Sequence, residues 1–187
     1  VAEASSLVRL QATYDLTVDW RGFELHPETP RGGRPLTDLF PASRLPAMEA
    51  HLARFAASFG VEGLRVRDRI PSTRRALAVA ELARAHGRLD PFRAAAMEAW
   101  WREGRDLEDD AELARLATAV GLDPDAAVRA ADDAQWLGRV DALRAEATRR
   151  GVTGIPTFIF GDGATVVGCQ PYGILAAAAE SVGAVRR

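Results

Sequence analysis

The sequence lacks several residue types whose absence narrows its chemistry. It contains no lysine, so all 24 basic residues are arginine, and it contains one cysteine, Cys169. A single cysteine excludes an intramolecular disulfide or a cysteine-based metal cluster within these residues. We interpret the missing lysine as nucleotide-composition bias in the source genome, because no spacing ties so many arginines to one ligand. No apolar run approaches the roughly 20 residues that a membrane-spanning helix needs.

Charge of either sign is not concentrated anywhere in the chain. The 24 arginines are interleaved with 26 acidic residues, which gives a net charge of −2. This distribution favours neither nucleic acid nor a membrane surface as a partner. An apolar fraction of 48% is enough for a hydrophobic core. We therefore expect a cytoplasmic globular protein, and the composition carries no signal of its oligomeric state.

The segment GVTGIPTFIF, residues 151–160, has the composition of a buried strand with one exception, Pro156. Its β-branched and aromatic residues fit a pleated, half-buried surface. Proline cannot donate a ladder hydrogen bond, so it belongs at the first position of a strand or at a sheet edge. The Gly-Asp-Gly turn that follows predicts a hairpin between strands 157–161 and 164–168, and a helix is predicted over 172–182.

The N-terminal part of the sequence predicts a helix, a strand and an irregular connection. Residues 1–14 place Ala4, Leu7, Val8 and Gln11 at helical spacing. Alternation of Leu16, Val18 and Trp20 with polar residues predicts a half-buried strand over 16–25. Residues 26–45 hold four of the ten prolines and a Gly-Gly pair, which is typical of a long irregular connection.

Residues 46–150 repeat the punctuation of short helices, in which a capping residue opens each helix and a glycine ends it. The predicted starts are residue 46, Ser72, Asp90 with Pro91, Asp109 or Asp110, and Asp123 with Pro124. The predicted ends are Gly60, Gly87, Gly104, Gly121 and Gly151, with Gly138 as a candidate break in the last stretch. This pattern predicts a subdomain of four or five helices.

Four blocks of the sequence resemble the DsbA-like family of thioredoxin-fold proteins, specifically its FrnE type. The blocks are WRGFELHPE (20–28), LDPFRAAAMEAWWREGRDLED (89–109), GLDPDAA (121–127) and GVTGIPTFIFGDGATVVGCQPYG (151–173). The resemblance implies an α/β fold in which residues 1–45 and 151–187 form a thioredoxin-like domain. It also implies that residues 46–150 are an inserted helical subdomain, whose last helix returns to the thioredoxin-like domain.

The resemblance further implies where a site lies. In this family the proline that corresponds to Pro156 forms a cis peptide bond beside the redox site, and we expect Thr153, Ile155 and Pro156 to bind substrate. The backbone of Ile155 is expected to pair with a bound peptide or thiol ligand. The family's first strand and catalytic Cys-x-x-Cys do not occur in these residues, so no catalytic residue is assigned here. We expect both just ahead of Val1, with the strand between those predicted at 16–25 and 157–161.

The implied function is that of a thiol–disulfide oxidoreductase. The expected first cysteine would stand at the start of helix 1–14, where the helix dipole lowers a thiol pKa from about 8.5. Its thiolate would exchange with a thiol or disulfide substrate, either a peptide or a small molecule, through a mixed disulfide. We expect this chemistry to use no cofactor, although glutathione is a candidate ligand.

Two alternative functions stay open. The kappa-class glutathione transferases and 2-hydroxychromene-2-carboxylate isomerases are more distantly similar, and the similarity places Cys169 and Gln170 where those families hold glutathione. A redox-inactive thioredoxin-like module that binds a peptide is the other alternative. We expect no metal, because His26, His51 and His86 show no metal-ligand spacing.

Overall fold

The computed structural model describes residues 4–64 and 67–187, so the first three residues of the predicted helix 1–14 lie outside it. The helices are α1 (Ala4–Thr13), α2 (Leu45–Ala57), α3 (Arg74–Ala85), α4 (Leu89–Glu98), α5 (Asp110–Ala119), α6 (Pro124–Asp132), α7 (Ala134–Arg149) and α8 (Tyr172–Ser181). The strands are β1 (Arg34–Pro35), β2 (Arg69–Ile70), β3 (Thr157–Ile159) and β4 (Thr165–Val167). Short 3-10 turns precede α2, and a π-helical turn, Ala99–Glu103, extends α4.

The C-terminal part of the chain has the predicted elements. β3 and β4 form an antiparallel hairpin in which Thr157 lies opposite Val167 and Ile159 lies opposite Thr165. Gly161 opens the connecting turn with a φ of 57°, a left-handed conformation that glycine adopts at no steric cost. The helix predicted over 172–182 is α8. These elements are encoded locally, by turn residues and by side-chain alternation.

The long connection at 26–45 is largely irregular, as predicted. Its one ladder is the two-residue pairing of β1 with β2. Gly33 lets the backbone approach Ile70 closely, because a Cβ atom at this position would lie 2.6 Å from the Ile70 carbonyl oxygen. The connection therefore leads the chain into α2 with little regular structure of its own.

The region predicted to hold four or five helices holds six in its described part, α2 to α7. The additional helix comes from a break at Asp133, whose carboxylate accepts a hydrogen bond from the Gln135 N–H and opens α7. The predicted break at Gly138 is wrong, because Gly138 lies inside α7, where a glycine costs about 1 kcal/mol relative to alanine. Asp109 and Asp123 cap α5 and α6 as predicted.

The predicted cap at Ser72 is also wrong. Thr73 occupies the N-cap position of α3, and its side chain makes no capping hydrogen bond. The first turn of α3 is instead anchored by its arginines. Arg75 is only 5% exposed and donates two hydrogen bonds to Asp132, at 3.0 and 2.8 Å. Tertiary ion pairs therefore fix this helix start, which a local capping pattern could not predict.

The helical region has a core built largely from small and branched aliphatic side chains. Alanine at the contacts lets helices approach closely, since interaxial distance depends on the side chains between them. The buried members of this core come from α3 to α6, the π-helical turn and the loop before α6. They are Val79, Leu82, Ala83, Phe92, Ala96, Ala99, Leu113, Leu116, Ala117, Leu122, Ala127, Ala130 and Ala131.

A second hydrophobic cluster forms between the N-terminal and C-terminal helices. Leu7 and Leu10 of α1, and Tyr14 directly after it, pack with Leu175 and Ala179 of α8. The extended segment 16–20 and the β3–β4 hairpin both contribute half-buried side chains that cover this cluster. These are Leu16, Val18, Trp20, Phe158, Phe160 and Val166. The C-terminal part of the chain thus packs against the first helix.

The predicted strand 16–25 is extended, but it belongs to no sheet among the described residues. Its side chains alternate as predicted, because Leu16, Val18 and Trp20 are half-buried while Thr17 and Asp19 are exposed. Along residues 16–25 the only backbone group with a hydrogen bond in the described chain is the Trp20 C=O, which accepts from Arg84. The alternation comes from packing against α1 and α8, whereas a ladder also needs a neighbouring strand.

Charged side chains attach this segment to the helical region. Asp19 accepts a hydrogen bond from Arg84 at 2.8 Å, and Glu24, which is 3% exposed, pairs with Arg74 at 3.1 Å. Both arginines belong to α3.

The division of the chain into two domains at residues 45 and 150 stays a prediction. Among the described residues, no helix is both long enough and apolar enough to cross a membrane.

The buried Arg75 makes a prediction about acid stability. Its hydrogen bonds hold the pKa of Asp132 below the ordinary value of 3.8. A carboxyl group with a lowered folded-state pKa stabilises the fold above its unfolded pKa, and this contribution is lost as pH falls through the folded pKa. We expect Arg75→Gln to raise the Asp132 pKa toward 3.8 and to flatten the acid limb of the stability curve. An NMR titration of the side-chain carboxyl measures the pKa.

The matched control is Arg74→Gln. Hydrogen bonds from Arg74 lower the pKa of Asp141, so this variant should raise the Asp141 pKa and leave that of Asp132 in place. An Asp132 pKa that does not move in Arg75→Gln would contradict the assignment.

Candidate functional site

The turn that leads into β3 is shaped by two short hydrogen bonds. Thr157 Oγ1 donates to the Gly154 C=O at 2.7 Å, and the Gly168 N–H donates to the Pro156 C=O at 2.7 Å. The Ile155–Pro156 peptide bond is cis, as the resemblance implied. Pro156 stands at the head of the hairpin opposite Gly168, where its C=O still accepts a ladder bond although it has no N–H to donate.

Ile155 presents its side chain and backbone to the outside of this turn. The residue is 53% exposed. Its N–H and C=O groups make no hydrogen bond within residues 4–64 and 67–187. Thr153, two residues earlier, is also exposed. An exposed backbone edge of this kind can pair with an added extended chain.

The loop after β4 lies beside this turn. Gly168 has a φ of 83°, which directs the chain away from the hairpin. The Gln170 side-chain amide donates to the Val167 C=O at 3.0 Å, and the Gln170 C=O accepts from Ser6 Oγ at 3.3 Å. Cys169 lies half-buried between Gly168 and Gln170. The structure therefore brings Cys169 and Gln170 into the neighbourhood of Pro156, while their role in binding stays a prediction.

The first two turns of α1 form the third side of this neighbourhood. Ser6 is 8% exposed, and the Arg9 guanidinium lies over the Tyr172 ring, 4.0 Å from its centroid. The N-terminus of a helix carries unpaired N–H groups and a partial positive charge, which favour an anion such as a thiolate over a neutral thiol. Within the described range of α1, Ala4–Thr13, the first turn holds no acidic residue. We call the turn 153–156, the loop 168–170 and the first turn of α1 together the candidate site.

Apolar side chains border the candidate site. Ile155 on the turn and Val167 at the end of β4 are each at least 50% exposed, as is Ile174, two residues after Tyr172 in the first turn of α8. A methyl group of Val167 is 3.9 Å from the position that a Cβ atom would occupy on Gly154. Val167 therefore stands directly beside the turn. An exposed apolar border of this kind is suited to contact with an apolar chain.

The histidines lie elsewhere and carry no metal site in the described residues. His26 Nδ1 is 3.2 Å from a Glu28 carboxylate oxygen at the exposed start of the long connection. His51 is an exposed residue of α2, and His86 is exposed at the end of α3. Within residues 4–64 and 67–187, no three His, Cys, Asp or Glu side chains are placed to hold a metal ion.

Sequence reasoning missed Ser6, Arg9 and Tyr172 as residues of this neighbourhood. Ser6 and Gln170 are 164 residues apart in the chain, so no local pattern links them. The helical spacing around Ala4, Leu7, Val8 and Gln11 predicted α1 but not which side chains would meet the loop after β4. Val8 shares the helical spacing of Leu7, yet it is 65% exposed.

Solved structures of other proteins share the fold of this chain. A structure of a probable DsbA oxidoreductase from Streptomyces coelicolor aligns with a TM-score of 0.85 at 26% identity, and the alignment covers 96% of this chain and 82% of that one. A 2-hydroxychromene-2-carboxylate isomerase structure aligns with a TM-score of 0.73 at 20% identity, covering 97% and 90% of the two chains. A search of curated protein sequences gives no match.

The family model gives the broadest assignment. The model of the DSBA-like thioredoxin domain matches residues 3–180, which is nearly the whole chain. This match spans the first helix, the helical region and the hairpin with its proline-led strand. The chain is therefore a member of the DSBA-like thioredoxin domain family.

Proposed function

We propose that the protein is a thiol–disulfide oxidoreductase of the DsbA/FrnE type that acts on polypeptide substrates. The observation that carries this proposal is the placement of an exposed, unpaired backbone at Ile155 beside the first turn of α1. The first of these features can hold an extended substrate chain, and the second can stabilise a thiolate. Family membership supports an enzyme of the oxidoreductase or isomerase kind, and the proposal selects the former.

The redox motif is proposed to precede Val1 on one further strand. Two extended pieces, residues 16–24 and β3, cover the same helices α1 and α8 without pairing with each other. Alternate residues of β3 pair with β4, so the backbone groups of Thr157 and Ile159 point to its other edge. Those groups lack partners in the described chain, and along residues 16–24 only the Trp20 C=O has one, the Arg84 side chain. A strand between them would satisfy both edges and end near the start of α1.

The chemical step would be ordinary thiol–disulfide exchange. The thiolate of the first motif cysteine attacks one sulfur of a substrate disulfide, and the other substrate sulfur leaves as a thiolate. The second motif cysteine then attacks the mixed disulfide, which releases the reduced substrate and leaves the motif oxidised. The reverse sequence oxidises a substrate dithiol. In both directions Ile155 would align the substrate backbone, and Ile155, Val167 and Ile174 would contact its apolar side chains.

A glutathione-dependent isomerase or transferase is the second candidate function. The observation in its favour is that Cys169 and Gln170 lie beside Pro156 and α1, where the distant resemblance places glutathione. Glutathione carries two carboxylates, whereas the exposed side chains of Ile155 and Val167 at the turn are apolar. We therefore rank disulfide exchange with a polypeptide first.

The proposal predicts the thiol content of the natural protein. After reduction and alkylation, intact mass spectrometry should show two modified cysteines in addition to Cys169, and the protein should reduce a disulfide-bridged peptide. A natural protein with no added cysteine would overturn the proposal. Saturable glutathione binding, measured by calorimetry on that same protein, would then support the second candidate. Absence of glutathione binding would support a redox-inactive peptide-binding module.

The hydrogen bond from Gly168 to Pro156 predicts a difference between two glycine variants. Both Gly168→Ala and Gly161→Ala place an alanine at positive φ, so each should cost about 1–2 kcal/mol of stability. Only Gly168 bonds to Pro156. We expect Gly168→Ala to raise the KM for a disulfide peptide and to shift the Ile155 amide resonance, whereas Gly161→Ala should change stability alone. Equal effects of the two variants on KM would argue against binding at this turn.

A further inference from the structure

Two side chains of α1 connect the first helix to the loop after β4. Ser6 Oγ donates to the Gln170 C=O at 3.3 Å, and the Arg9 guanidinium stacks on the Tyr172 ring at 4.0 Å. Ser6 and Arg9 are one helical turn apart, so they meet the loop from the same side of α1. We call these two contacts the α1 clamp. Both involve residues at the edge of the hydrophobic cluster rather than in its interior.

The α1 clamp reaches the Ile155–Pro156 turn through one more residue. Gly168, two residues before Gln170, donates its N–H to the Pro156 C=O at 2.7 Å. Gln170 itself is tied back to Val167 by its side-chain amide at 3.0 Å. The loop between the clamp and Pro156 is therefore short and hydrogen-bonded at both ends. A displacement of the loop at Gln170 or Tyr172 would move the carbonyl partner of Gly168 with it.

The Arg9–Tyr172 contact is the stronger half of the clamp. A hydroxyl hydrogen bond is most favourable near 2.7–2.8 Å, so the 3.3 Å distance from Ser6 to Gln170 marks a weaker interaction. A guanidinium over a tyrosine ring within about 6 Å of its centroid is attracted by the ring quadrupole. Arg9 forms no ion pair with a carboxylate among the described residues, so its charged group contacts the Tyr172 ring without a competing ion pair.

We propose that Arg9, assisted by Ser6, is a positioning residue that sets the placement of the Ile155–Pro156 edge relative to the start of α1. This inference rests on the proposed function, because the edge matters only if it binds a substrate. Arg9 would act on substrate affinity rather than on the exchange step. The edge contacts the substrate chain equally in the ground and transition states, and such uniform binding changes KM and leaves kcat unchanged.

The test compares Arg9→Gln with Arg139→Gln in the full natural protein. Arg139 is likewise stacked on an aromatic ring, Trp136, at 4.7 Å, but on α7 within the helical region. With a synthetic disulfide-bridged peptide as substrate, we expect Arg9→Gln to raise KM about two- to fivefold, the range of an exposed cation–π contact. Its kcat should stay within about twofold. Arg139→Gln should leave both constants unchanged, and Arg9→Lys, which keeps the cation, should restore most of the affinity.

Amide hydrogen exchange gives a second readout that does not depend on activity. We expect Arg9→Gln and Ser6→Ala to speed exchange at the Gly168 amide, which bonds to Pro156, and not at the Phe160 amide, which bonds to Ala164 at the far end of the same hairpin. Unchanged exchange at Gly168 would overturn the clamp. A fall in kcat with constant KM would overturn its role in placing the edge. Faster Gly168 exchange in a protein that reduces no peptide disulfide would instead refute the proposed function and leave the clamp standing.

Discussion

Backbone pairing in the layer that covers α1 and α8 is the constraint on which the rest of the structure depends. Two extended pieces, residues 16–24 and the β3–β4 hairpin, bury their apolar side chains on this helix pair. Side-chain burial alone does not complete such a layer, because backbone N–H and C=O groups also need partners. Their open edges are why the proposed function includes a further strand, which is proposed to end near the first turn of α1.

Ion pairs help to hold segment 16–24 in place, as ladder hydrogen bonds hold an ordinary strand in a sheet. Glu24 is almost fully buried and would be costly without a partner, and Arg74 supplies one while also bonding Asp141 with both terminal nitrogens. Asp19 is joined to α3 in the same way by Arg84. The segment that covers α1 and α8 is therefore also the segment held to the helical region. Arg21 of the same segment pairs with Glu146 of α7 at 2.7 Å, so charged side chains join the segment to two helices of the helical region.

Local signals in the sequence predicted those parts of the fold that local interactions determine. The hairpin follows from turn residues and alternation, and α5 and α6 follow from the caps at Asp109 and Asp123. The predicted sheet pairing of residues 16–25 is wrong because pairing depends on a neighbouring strand. The predicted alternation of exposed and half-buried side chains is confirmed. The cap at Ser72 failed because ion pairs of Arg74 and Arg75 with distant carboxylates fix that helix start. Pro156 and Cys169 were placed by a family resemblance, while Ser6 and Arg9 meet partners far along the chain and had no local signal.

The candidate site combines exposed apolar side chains with a backbone that has no hydrogen-bond partner among the described residues. Large apolar side chains are also exposed elsewhere, as at Val8 and Val185, but Ile155 and Val167 lie beside the Ile155 N–H and C=O groups. Exposed apolar side chains contribute no burial free energy to folding. A backbone without partners in the described chain, lying beside them, can pair with another chain that adds as a strand. The proposed binding of a polypeptide therefore depends on this exposed backbone and on its position near the first helix, to which the Ser6–Gln170 hydrogen bond connects the neighbouring loop.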